Sequence, residues 1–373
     1  MKPIFILDSF QRGGLEKSCV HLSKILSKSS ISIIIWSLNS SKPFINDAIS
    51  LFPDNVDVKY FSNRFSLYCS YVRLPNSSLC ISFKNHLAFI LLKVLFRLRI
   101  MLIIRHSNTI LFDIIRPSYS NKRYLKSQPL GLILGFASKL SSYLKLFIIT
   151  TIYSANRFHV CNSIENKMLL QLFLKQNVFC YVNPDILSFN PPKVLNNTQV
   201  SRIELLWASR YAPSKDISTL IDCLLRLQLS SNNNSYLLTA YTTKPDQLLS
   251  DFTSAGLHPD SFRIHSWSNY QRSSSDIYIH TAYHEGLSNS FMEQIFQSRR
   301  IVCPLTSSGF LEFACLLDWV YFYRPSDSND LFHSLKSAIG SLSEEVHPYS
   351  PPSTKKYLRL NQQFLDFLKS YSL

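Results

Sequence analysis

The chain has 373 residues, and its 39 lysines and arginines outnumber its 24 aspartates and glutamates, which gives a formal net charge of +15. At about 100–200 residues per domain, this length predicts two domains with cores that need no disulfide or metal. Hydrophobic residues make up 46% of the chain, with only 8 glycines and 17 prolines, which excludes disordered, collagen-like and low-complexity proteins. The positive charge indicates an anionic partner: nucleic acid, phospholipid or a phosphorylated substrate.

The eight cysteines are scattered without a C-x-x-C pair, which is typical of reduced thiols and predicts a cytosolic protein. The apolar stretch Ile4–Leu7 is too short for a signal peptide and predicts a first strand instead. The longest apolar run, residues 88–104, is interrupted by Lys93, Arg97 and Arg99, so no membrane-spanning helix is predicted.

Short apolar runs alternate with helical patterns in the first half of the chain. After the first strand, a helix carries Leu15, Cys19, Leu22 and Leu26 on one face. Further strands are predicted at residues 31–36, 56–61, 79–83, 101–104, 158–161 and 178–182. Apolar strands that alternate with helices indicate a parallel sheet covered on both faces.

The polar segment from Asn183 to Arg202 contains Pro191-Pro192 and Asn196-Asn197 and is typical of a linker. The alternation of predicted strands and helices then starts again. Strands are predicted at residues 203–208, 236–240, 262–265, 276–280, 300–304 and 319–322, and helices at 216–229, 290–297, 327–339 and from about 353.

These elements predict an α/β protein with two Rossmann-like domains whose parallel sheets face each other across a cleft. The first domain would comprise residues 1–185 and the second residues 203–352, with residues 186–202 as the linker. The last helix, residues 353–373, would pack back towards the first domain.

Residues 283–293 combine a turn with the predicted start of a helix. Ser288 or Asn289 is placed to cap that helix, which would leave the amides of Ser290 and Phe291 facing outward. Free amides and the partial positive charge of a helix N-terminus favour phosphate binding.

The same segment carries two carboxylates, Glu285 before the turn at Gly286 and Glu293, which is expected in the first helical turn. A carboxylate accepts hydrogen bonds from two neighbouring hydroxyls and therefore suits a sugar. The helix dipole alone also favours an acidic residue at the position of Glu293.

The strand that ends at Ala208 leads into a loop with two cations, Arg210 and Lys215. The carboxyl end of a parallel strand is where α/β folds bind ligands, and two cations there suit a diphosphate. A single cation in such a loop is usually solvated surface.

Gly13-Gly14 follows the first strand, and most such pairs only form a turn. Because the chain has only 8 glycines, this pair also suggests close approach of the backbone to a ligand. The chain contains neither a G-x-G-x-x-G motif nor a P-loop, which argues against dinucleotide oxidoreductases and NTPases.

Taken together, these motifs resemble the retaining glycosyltransferases of family 4, which have the GT-B fold. The resemblance extends from residue 10 to about residue 312. It rests on Gly13-Gly14-Leu-Glu-Lys17, Val160-Cys-Asn-Ser163, Val182-Asn-Pro-Asp185, Ala208-Ser-Arg-x4-Lys215, Glu285-x7-Glu293 and Ser307-Ser-Gly-Phe-Leu-Glu312.

The resemblance implies a nucleotide-sugar donor held mainly by the second domain. It places Arg210 and Lys215 at the diphosphate, Glu293 at the ribose hydroxyls and Glu285 at the donor sugar. It also places Asn289, Ser290 and Phe291 in contact with the donor at the helix start. Gly13 and Gly14 would let the backbone close over the phosphates, and His106 of the first domain would lie near the sugar.

The implied enzyme is a bacterial hexosyltransferase of O-antigen, lipopolysaccharide or capsule synthesis, on the inner face of the cytoplasmic membrane. Its acceptor would be a polyprenyl-diphosphate-linked sugar. No cofactor or metal is expected, since the chain lacks the Asp-x-Asp motif through which another glycosyltransferase fold binds a divalent ion.

The chain departs from the family where glycines are usual. Ser209 precedes the arginine, Asp216 follows the lysine, and Ser298-Arg299 precedes a strand. These losses are the best evidence for one alternative, a GT-B-like binding protein without activity. A basic scaffold at the membrane surface is a further alternative. No nucleic-acid-binding motif is present.

Residues 85–98 predict an apolar helix with His86, Lys93 and Arg97 along one side. Such a helix suits the interface of an anionic membrane. The same pattern also fits a buried crossover helix with a solvated basic stripe.

Overall fold

The structure is a computed structural model, and its described strands form two parallel sheets, one of seven strands and one of six. The described residues are 2–7, 14–41, 52–83, 86–106, 151–174, 176–182, 202–230, 236–270, 275–282, 285, 287–295, 297–306, 309–315, 317–344 and 353–372.

The first sheet has the strand order β3-β2-β1-β4-β5-β6-β7. Since β1 pairs with both β2 and β4, the strand order reverses between β1 and β4. The strands are β1 (Ile4–Ile6), β2 (Ile33–Leu38), β3 (Val56–Phe61), β4 (Leu79–Ser82), β5 (Met101–Arg105), β6 (Phe158–Cys161) and β7 (Asn177–Cys180). Their helices are α1 (Gly14–Lys28), α2 (Arg64–Val72), α3 (His86–Leu95) and α4 (Ile164–Leu174).

The second sheet has the order β10-β9-β8-β11-β12-β13, and its order reverses between β8 and β11. The strands are β8 (Ile203–Ala208), β9 (Tyr236–Thr242), β10 (Phe262–Ser266), β11 (Ser275–Ile279), β12 (Ser298–Pro304) and β13 (Val320–Tyr323). The helices are α5 (Ile217–Ser230), α6 (Pro245–Ser254), α7 (Asn289–Gln294), α8 (Leu311–Ala314), α9 (Ser328–Gly340) and α10 (Ser353–Ser372).

The chain divides into two compact units. One comprises Met1–Asp185 together with Lys355–Leu373, and the other comprises Ile186–Thr354. The apolar face of α10 joins the core of the first unit, where Phe364 packs with strand residues such as Phe5. Asn361 extends this contact, because its side chain accepts a hydrogen bond from the backbone N–H of Val182 (2.8 Å) and donates one to its carbonyl (2.7 Å).

Strands such as β1 and β4 follow from short apolar runs in the sequence. Every residue of β1 and β4 is buried, as expected for parallel strands with helices on both faces. The predicted strands at Val56–Phe61, Phe158–Cys161 and Ile203–Ala208 are confirmed with the same bounds. Of the predicted linker, only Arg202 lies within the described residues.

The predicted basic stripe along residues 85–98 is wrong. Lys93 points into the unit and donates a hydrogen bond to Oδ1 of Asn156 (3.3 Å). Its pKa is lowered because it is partly buried and lies near the charge of Arg157. Helix α3 ends at Leu95, and Arg97 follows it in the left-handed conformation (φ 51°). Within the described part of the chain, no helix has the length and hydropathy to span a membrane.

Candidate functional site

The candidate site lies where the order of the second sheet reverses, at the carboxyl ends of β8 and β11. The helices that follow two such neighbouring strands leave in opposite directions and open a crevice between them. Beyond β8 the chain continues to Arg210 and Lys215, and beyond β11 to His280, Thr281 and Glu285. The fold therefore brings together two motifs that are about 70 residues apart in the sequence.

Thr281 ties the two loops to each other. Its hydroxyl accepts a hydrogen bond from Nε1–H of Trp207 at the end of β8 (3.0 Å). The same hydroxyl donates to the backbone carbonyl of Lys215 (2.6 Å). Because all three residues are buried, these bonds are shielded from water and hold the Lys215 loop against the end of β11.

Lys215 and Glu285 form an ion pair in this crevice. The lysine side chain is 6% exposed and the glutamate side chain 16%. A buried ammonium is costly unless a carboxylate partner compensates for its lost hydration, and Glu285 supplies that partner. The sequence places both residues in one site, and the structure brings them into direct contact.

His280 belongs to the same site, although no sequence motif pointed to it. Its Nε2 lies 3.8 Å from Oε2 of Glu285, and its Nδ1 lies 3.4 Å from the hydroxyl of Tyr278. The pKa of His280 is well below its usual value, because the ring is buried and Lys215 repels its protonated form. We therefore assign a neutral imidazole. A titratable residue directly after a buried strand, five positions before Glu285, was the available signal.

Asp216 occupies a position where the backbone itself favours glycine. Its φ is 46°, in the left-handed region that side chains with a Cβ rarely adopt. Aspartate tolerates this region better than most residues. The resemblance predicts a glycine at this position, and the left-handed φ of Asp216 is a conformation that favours glycine.

Helix α7 begins as the sequence predicts but does not leave both expected amides available. Ser288 is the N-cap, and its hydroxyl accepts a hydrogen bond from the Phe291 N–H (3.4 Å). The prediction that the Phe291 amide faces outward is therefore wrong, because the cap already engages it. The Phe291 ring is buried and stacks on Phe310 with ring centroids 4.4 Å apart. Ser290 accepts a hydrogen bond from the Tyr278 hydroxyl (3.1 Å), and Asn289 is half-buried.

Glu293 is not in the first turn of its helix, so that prediction is also wrong. It is the fifth of the six residues of α7 and is buried. Its charge acts on Tyr278, whose pKa lies well above its usual value because of burial first, and then because of Tyr270 and Glu293. The helix dipole therefore does not account for an acid here, whereas an internal carboxylate beside the crevice suits hydroxyl ligands.

Arg210 is exposed on the loop after β8, and no acidic side chain pairs with it within the described residues. Its guanidinium is thus available to an anion. Gly14 is the first residue of α1, whereas Gly13 lies outside the described residues. Ser307 and Ser308 of the small-residue loop also lie outside them.

His106 lies in the first unit, directly after β5, and is buried. Its Nε2 is 3.0 Å from Nδ1 of His159, and the two rings stack with an interplanar angle of 27°. The sequence singled out His106 but not its partner, because His159 sits inside a strand pattern typical of core.

A group of aromatic side chains adjoins α7 at the carboxyl ends of β9 and β10. Tyr270 stacks on Trp267 at 5.1 Å and meets Tyr241 edge-on at 5.3 Å, and Tyr241 stacks on His265 at 5.2 Å. Gln294, next to Glu293, donates a hydrogen bond to the Tyr270 hydroxyl (3.1 Å). The four residues Tyr241, His265, Trp267 and Tyr270 are half-buried. We refer to these four residues as the aromatic cluster.

No protein-family model matches the chain, and no curated protein sequence matches it. Solved structures do. HepE of Anabaena, in complex with UDP-glucose, has a TM-score of 0.66 at 14% identity, over 99% of this chain and 100% of HepE. The UDP-forming α,α-trehalose-phosphate synthase of Burkholderia vietnamiensis has a TM-score of 0.60 at 12% identity, over 99% of this chain and all of that protein.

These alignments cover nearly the whole chain and both sheets. They confirm the predicted fold class: the chain has the GT-B fold, with two α/β domains that each contain a parallel sheet.

Proposed function

We propose that the protein is a retaining glycosyltransferase that moves a sugar from a nucleotide-sugar donor to a hydroxyl of an acceptor. The observation that carries this proposal is the Lys215–Glu285 ion pair at the reversal point of the second sheet, with Arg210 exposed on the same loop. The HepE structure, which has the same fold, is a complex with UDP-glucose, and this favours a UDP-sugar as donor.

The diphosphate would bind to Lys215 and Arg210. Lys215 offers a compact charge in a site with little water, where electrostatic attraction is strong. Arg210 offers two parallel N–H donors from the solvent side. The Glu285 carboxylate, held in place by Lys215, would accept hydrogen bonds from hydroxyls of the donor sugar.

The nucleoside would extend from the diphosphate towards the aromatic cluster. Glu293 would accept hydrogen bonds from the ribose hydroxyls, and the base would stack on an exposed ring face of Trp267 or Tyr270. Stacking of a base on an aromatic side chain contributes about 1–3 kcal/mol, with little dependence on the base. The Gln294–Tyr270 hydrogen bond links the two parts of this subsite.

In the proposed reaction, the acceptor oxygen bonds to the anomeric carbon as the bond from that carbon to the diphosphate oxygen breaks. The acceptor proton passes to the leaving diphosphate on the same face, so configuration is retained and no carboxylate acts as nucleophile. Catalysis then depends on stabilising the charge of the leaving group, which Lys215 and Arg210 are placed to do. We propose that no metal is required.

We propose a lipid-linked acceptor, a polyprenyl-diphosphate sugar, at the inner face of the cytoplasmic membrane in bacterial O-antigen, lipopolysaccharide or capsule synthesis. In the first unit, helix α3 and the residue after it expose Leu91, Val94, Leu95 and Phe96. Arg97 and Arg99 follow and are also exposed. Apolar side chains beside arginines suit the interface of an anionic membrane. Insertion would thus use the outer face of α3, with Lys93 turned inward.

The test is a transfer assay with UDP- and GDP-sugars and polyprenyl-diphosphate-linked sugar acceptors, in which nucleotide release and the glycosylated lipid are measured. We expect one donor to support acceptor-dependent release, with a rate that changes by less than about twofold in excess EDTA. Complete loss in EDTA, restored by manganese or magnesium, would contradict the mechanism. Nucleotide binding without turnover of any donor would favour a GT-B-like binding protein, and lipid binding without nucleotide binding would favour a scaffold.

A further inference from the structure

The ring of His280 is fixed in the second unit, directly after β11. Its backbone N–H donates to the carbonyl of Val302 (2.8 Å), and its carbonyl accepts a hydrogen bond from the Tyr323 hydroxyl (3.2 Å). The rings of Phe291 and Phe310 meet the imidazole edge-on, with centroids at 5.8 Å and 5.2 Å. Backbone bonds and packing therefore hold the imidazole in one orientation.

One nitrogen of this ring forms no hydrogen bond. Nε2 of His280 is buried, and no atom in the described part of the chain is its hydrogen-bond partner. Such buried polar atoms are unfavourable and rare in folded proteins. Oε2 of Glu285 lies 3.8 Å away, beyond the usual limit of about 3.2 Å for a hydrogen bond. A shift of about 1 Å would therefore close this contact.

The Glu285 carboxylate lies between two groups of the candidate site. Its Oε1 is paired with Nζ of Lys215, and its Oε2 faces Nε2 of His280. Ligands of α/β folds bind where the strand order reverses, which is where this pair lies. An anion that binds to Lys215 there competes with Glu285 for the same ammonium. The carboxylate would then keep less compensation for its charge, which is costly in a site with little water.

A neutral imidazole carries one proton, and the surroundings of His280 favour Nε2. Nδ1 lies 3.4 Å from the Tyr278 oxygen, and the Tyr278 hydroxyl donates to Ser290 (3.1 Å). A proton on Nδ1 would thus gain only a long contact with a neutral oxygen. A proton on Nε2 faces the ionised Glu285, and hydrogen bonds to charged groups are about twice as strong as neutral ones. We therefore assign the proton to Nε2.

We propose that His280 is a positioning residue for Glu285. When an anionic ligand binds to Lys215, the Glu285 carboxylate shifts towards His280 and accepts a hydrogen bond from its Nε2–H. This exchange of partners keeps the carboxylate charge compensated and holds it in place for hydroxyls of the ligand. That the ligand is the diphosphate of a nucleotide sugar rests on the proposed function, whereas the open contact between His280 and Glu285 is a feature of the structure alone.

The exchange is testable without a ligand, because Lys215→Met removes the ammonium that a bound anion would engage. Long-range proton–nitrogen NMR spectra of ¹⁵N-histidine-labelled protein at pH 7, assigned with His280→Asn, report which ring nitrogen carries the proton. We expect protonated Nε2 in wild type and an Nε2–H signal moved downfield in Lys215→Met by the bond to Glu285. Adding Glu285→Gln should largely reverse this movement. Protonated Nδ1 alone in wild type, or an unchanged Nε2–H signal in Lys215→Met, would overturn the proposal.

A binding cycle with UDP measures the same contact in the presence of a ligand. In His280→Gln, the amide reaches the place of Nε2 and still donates to Glu285, whereas in His280→Asn it reaches only the place of Nδ1. We expect the Kd of UDP, measured by calorimetry, to rise about tenfold in the Asn variant and to stay within about threefold of wild type in the Gln variant. In a Glu285→Gln background, His280→Asn should change Kd less than about twofold, because the charge that His280 compensates is already absent.

An unchanged Kd in His280→Asn would overturn the proposal. An equal rise in both backgrounds would also overturn it, since a purely structural role weakens binding with or without the Glu285 charge. If wild type binds no UDP, the proposed donor is wrong, and the spectra of wild type and Lys215→Met still decide the role of His280. If the substituted proteins fail to fold, the wild-type spectrum with and without UDP decides it.

Discussion

At the carboxyl end of the second sheet, Lys215 and Glu285 meet as an ion pair, and Arg210 is exposed on the loop that carries Lys215. At the end of β5 in the first sheet, two imidazoles instead share a hydrogen bond. The first sheet also has a cation at this edge, Arg105. However, that side chain is buried and donates to the carbonyls of Cys161 (2.8 Å) and Tyr181 (2.7 Å).

The Arg210 charge is thus available to a ligand in the second unit, whereas the Arg105 charge in the first unit stabilises the structure. A departing diphosphate needs cations, whereas sugar hydroxyls need hydrogen-bond acceptors, which a carboxylate or a neutral imidazole supplies. Under the proposed function, the cations that follow β8 in the second unit would bind the leaving diphosphate.

The largest effect is expected from the cations of the second unit. Lys215→Ala or Arg210→Ala should each reduce turnover at least about a hundredfold, the scale of losing one charge-stabilising donor. Purified variants are compared in the transfer assay, with Lys244→Ala as the control, because Lys244 is an exposed lysine of the same unit.

Lys215→Ala leaves Glu285 without its cation, and breaking a buried pair costs about 3–5 kcal/mol of stability. The neutral double variant Lys215→Met with Glu285→Gln avoids this cost. It should fold as wild type by circular dichroism and remain inactive. Near-normal turnover in the Lys215 and Arg210 single variants would show that the diphosphate binds elsewhere.

The next effect concerns the aromatic cluster. Trp267→Ala should raise the donor KM about tenfold with little change in kcat, because stacking on the base holds ground state and transition state alike. Tyr371→Ala, which removes an exposed ring of α10 in the first unit, is the matched control. A donor KM that is unchanged in both the Trp267→Ala and the Tyr270→Ala variant would show that the base binds outside the aromatic cluster.

A comparable effect is expected at the membrane. Leu95→Ser with Phe96→Ser should weaken binding to anionic liposomes at least about tenfold, since each exposed side chain contributes about 1.5–3 kcal/mol when fully buried. Leu229→Ser, at an exposed leucine of the second unit, controls for general loss of apolar surface. Equal liposome binding by all three proteins would rule out the outer face of α3 as the contact.

The smallest effect is expected at the C-terminal ends of α1 and α6. Ser30 after α1 (φ 59°) and Gly256 after α6 (φ 86°) both adopt the left-handed conformation, and the next residue bonds back to the carbonyl five positions earlier. Ser30→Gly should raise the free energy of unfolding by about 0.5–1 kcal/mol, and Gly256→Ala should lower it by about 1 kcal/mol or more. Urea unfolding measures both. A lower free energy of unfolding in Ser30→Gly would contradict the inference that a serine in this left-handed conformation costs stability.

Local patterns sufficed for the strands and for the motif positions. The segment Val56–Phe61, in which apolar residues alternate with Asp57 and Lys59, is a strand with the predicted bounds. Lys215 and Glu285 lie beyond the carboxyl ends of β8 and β11, as their motifs predict. Contacts between residues that are far apart in the sequence could not be predicted, because the order of the strands in the sheet decides which residues meet. Lys93 turns inward because Asn156, 63 residues later, supplies an amide for it.

The same limit applies within the candidate site. The Phe291 amide was misplaced because the side chain of the N-cap Ser288 engages it, and Glu293 was misplaced because α7 begins four residues before it, at Asn289. His159 was missed because it lies in an apolar, strand-like segment, where packing is the ordinary explanation of a ring. Trp267 and Tyr270 of the aromatic cluster were missed because they follow β10 in a short polar segment that matches no motif. Their roles depend on neighbours from adjacent strands.

The most direct test is a crystal structure of the protein with a UDP-sugar, grown in the presence of EDTA. The account predicts diphosphate oxygens about 3 Å from Nζ of Lys215 and from the Arg210 guanidinium, with Glu285 at the sugar hydroxyls. A diphosphate bound away from the carboxyl ends of β8 and β11, with the Lys215–Glu285 pair untouched, would contradict it.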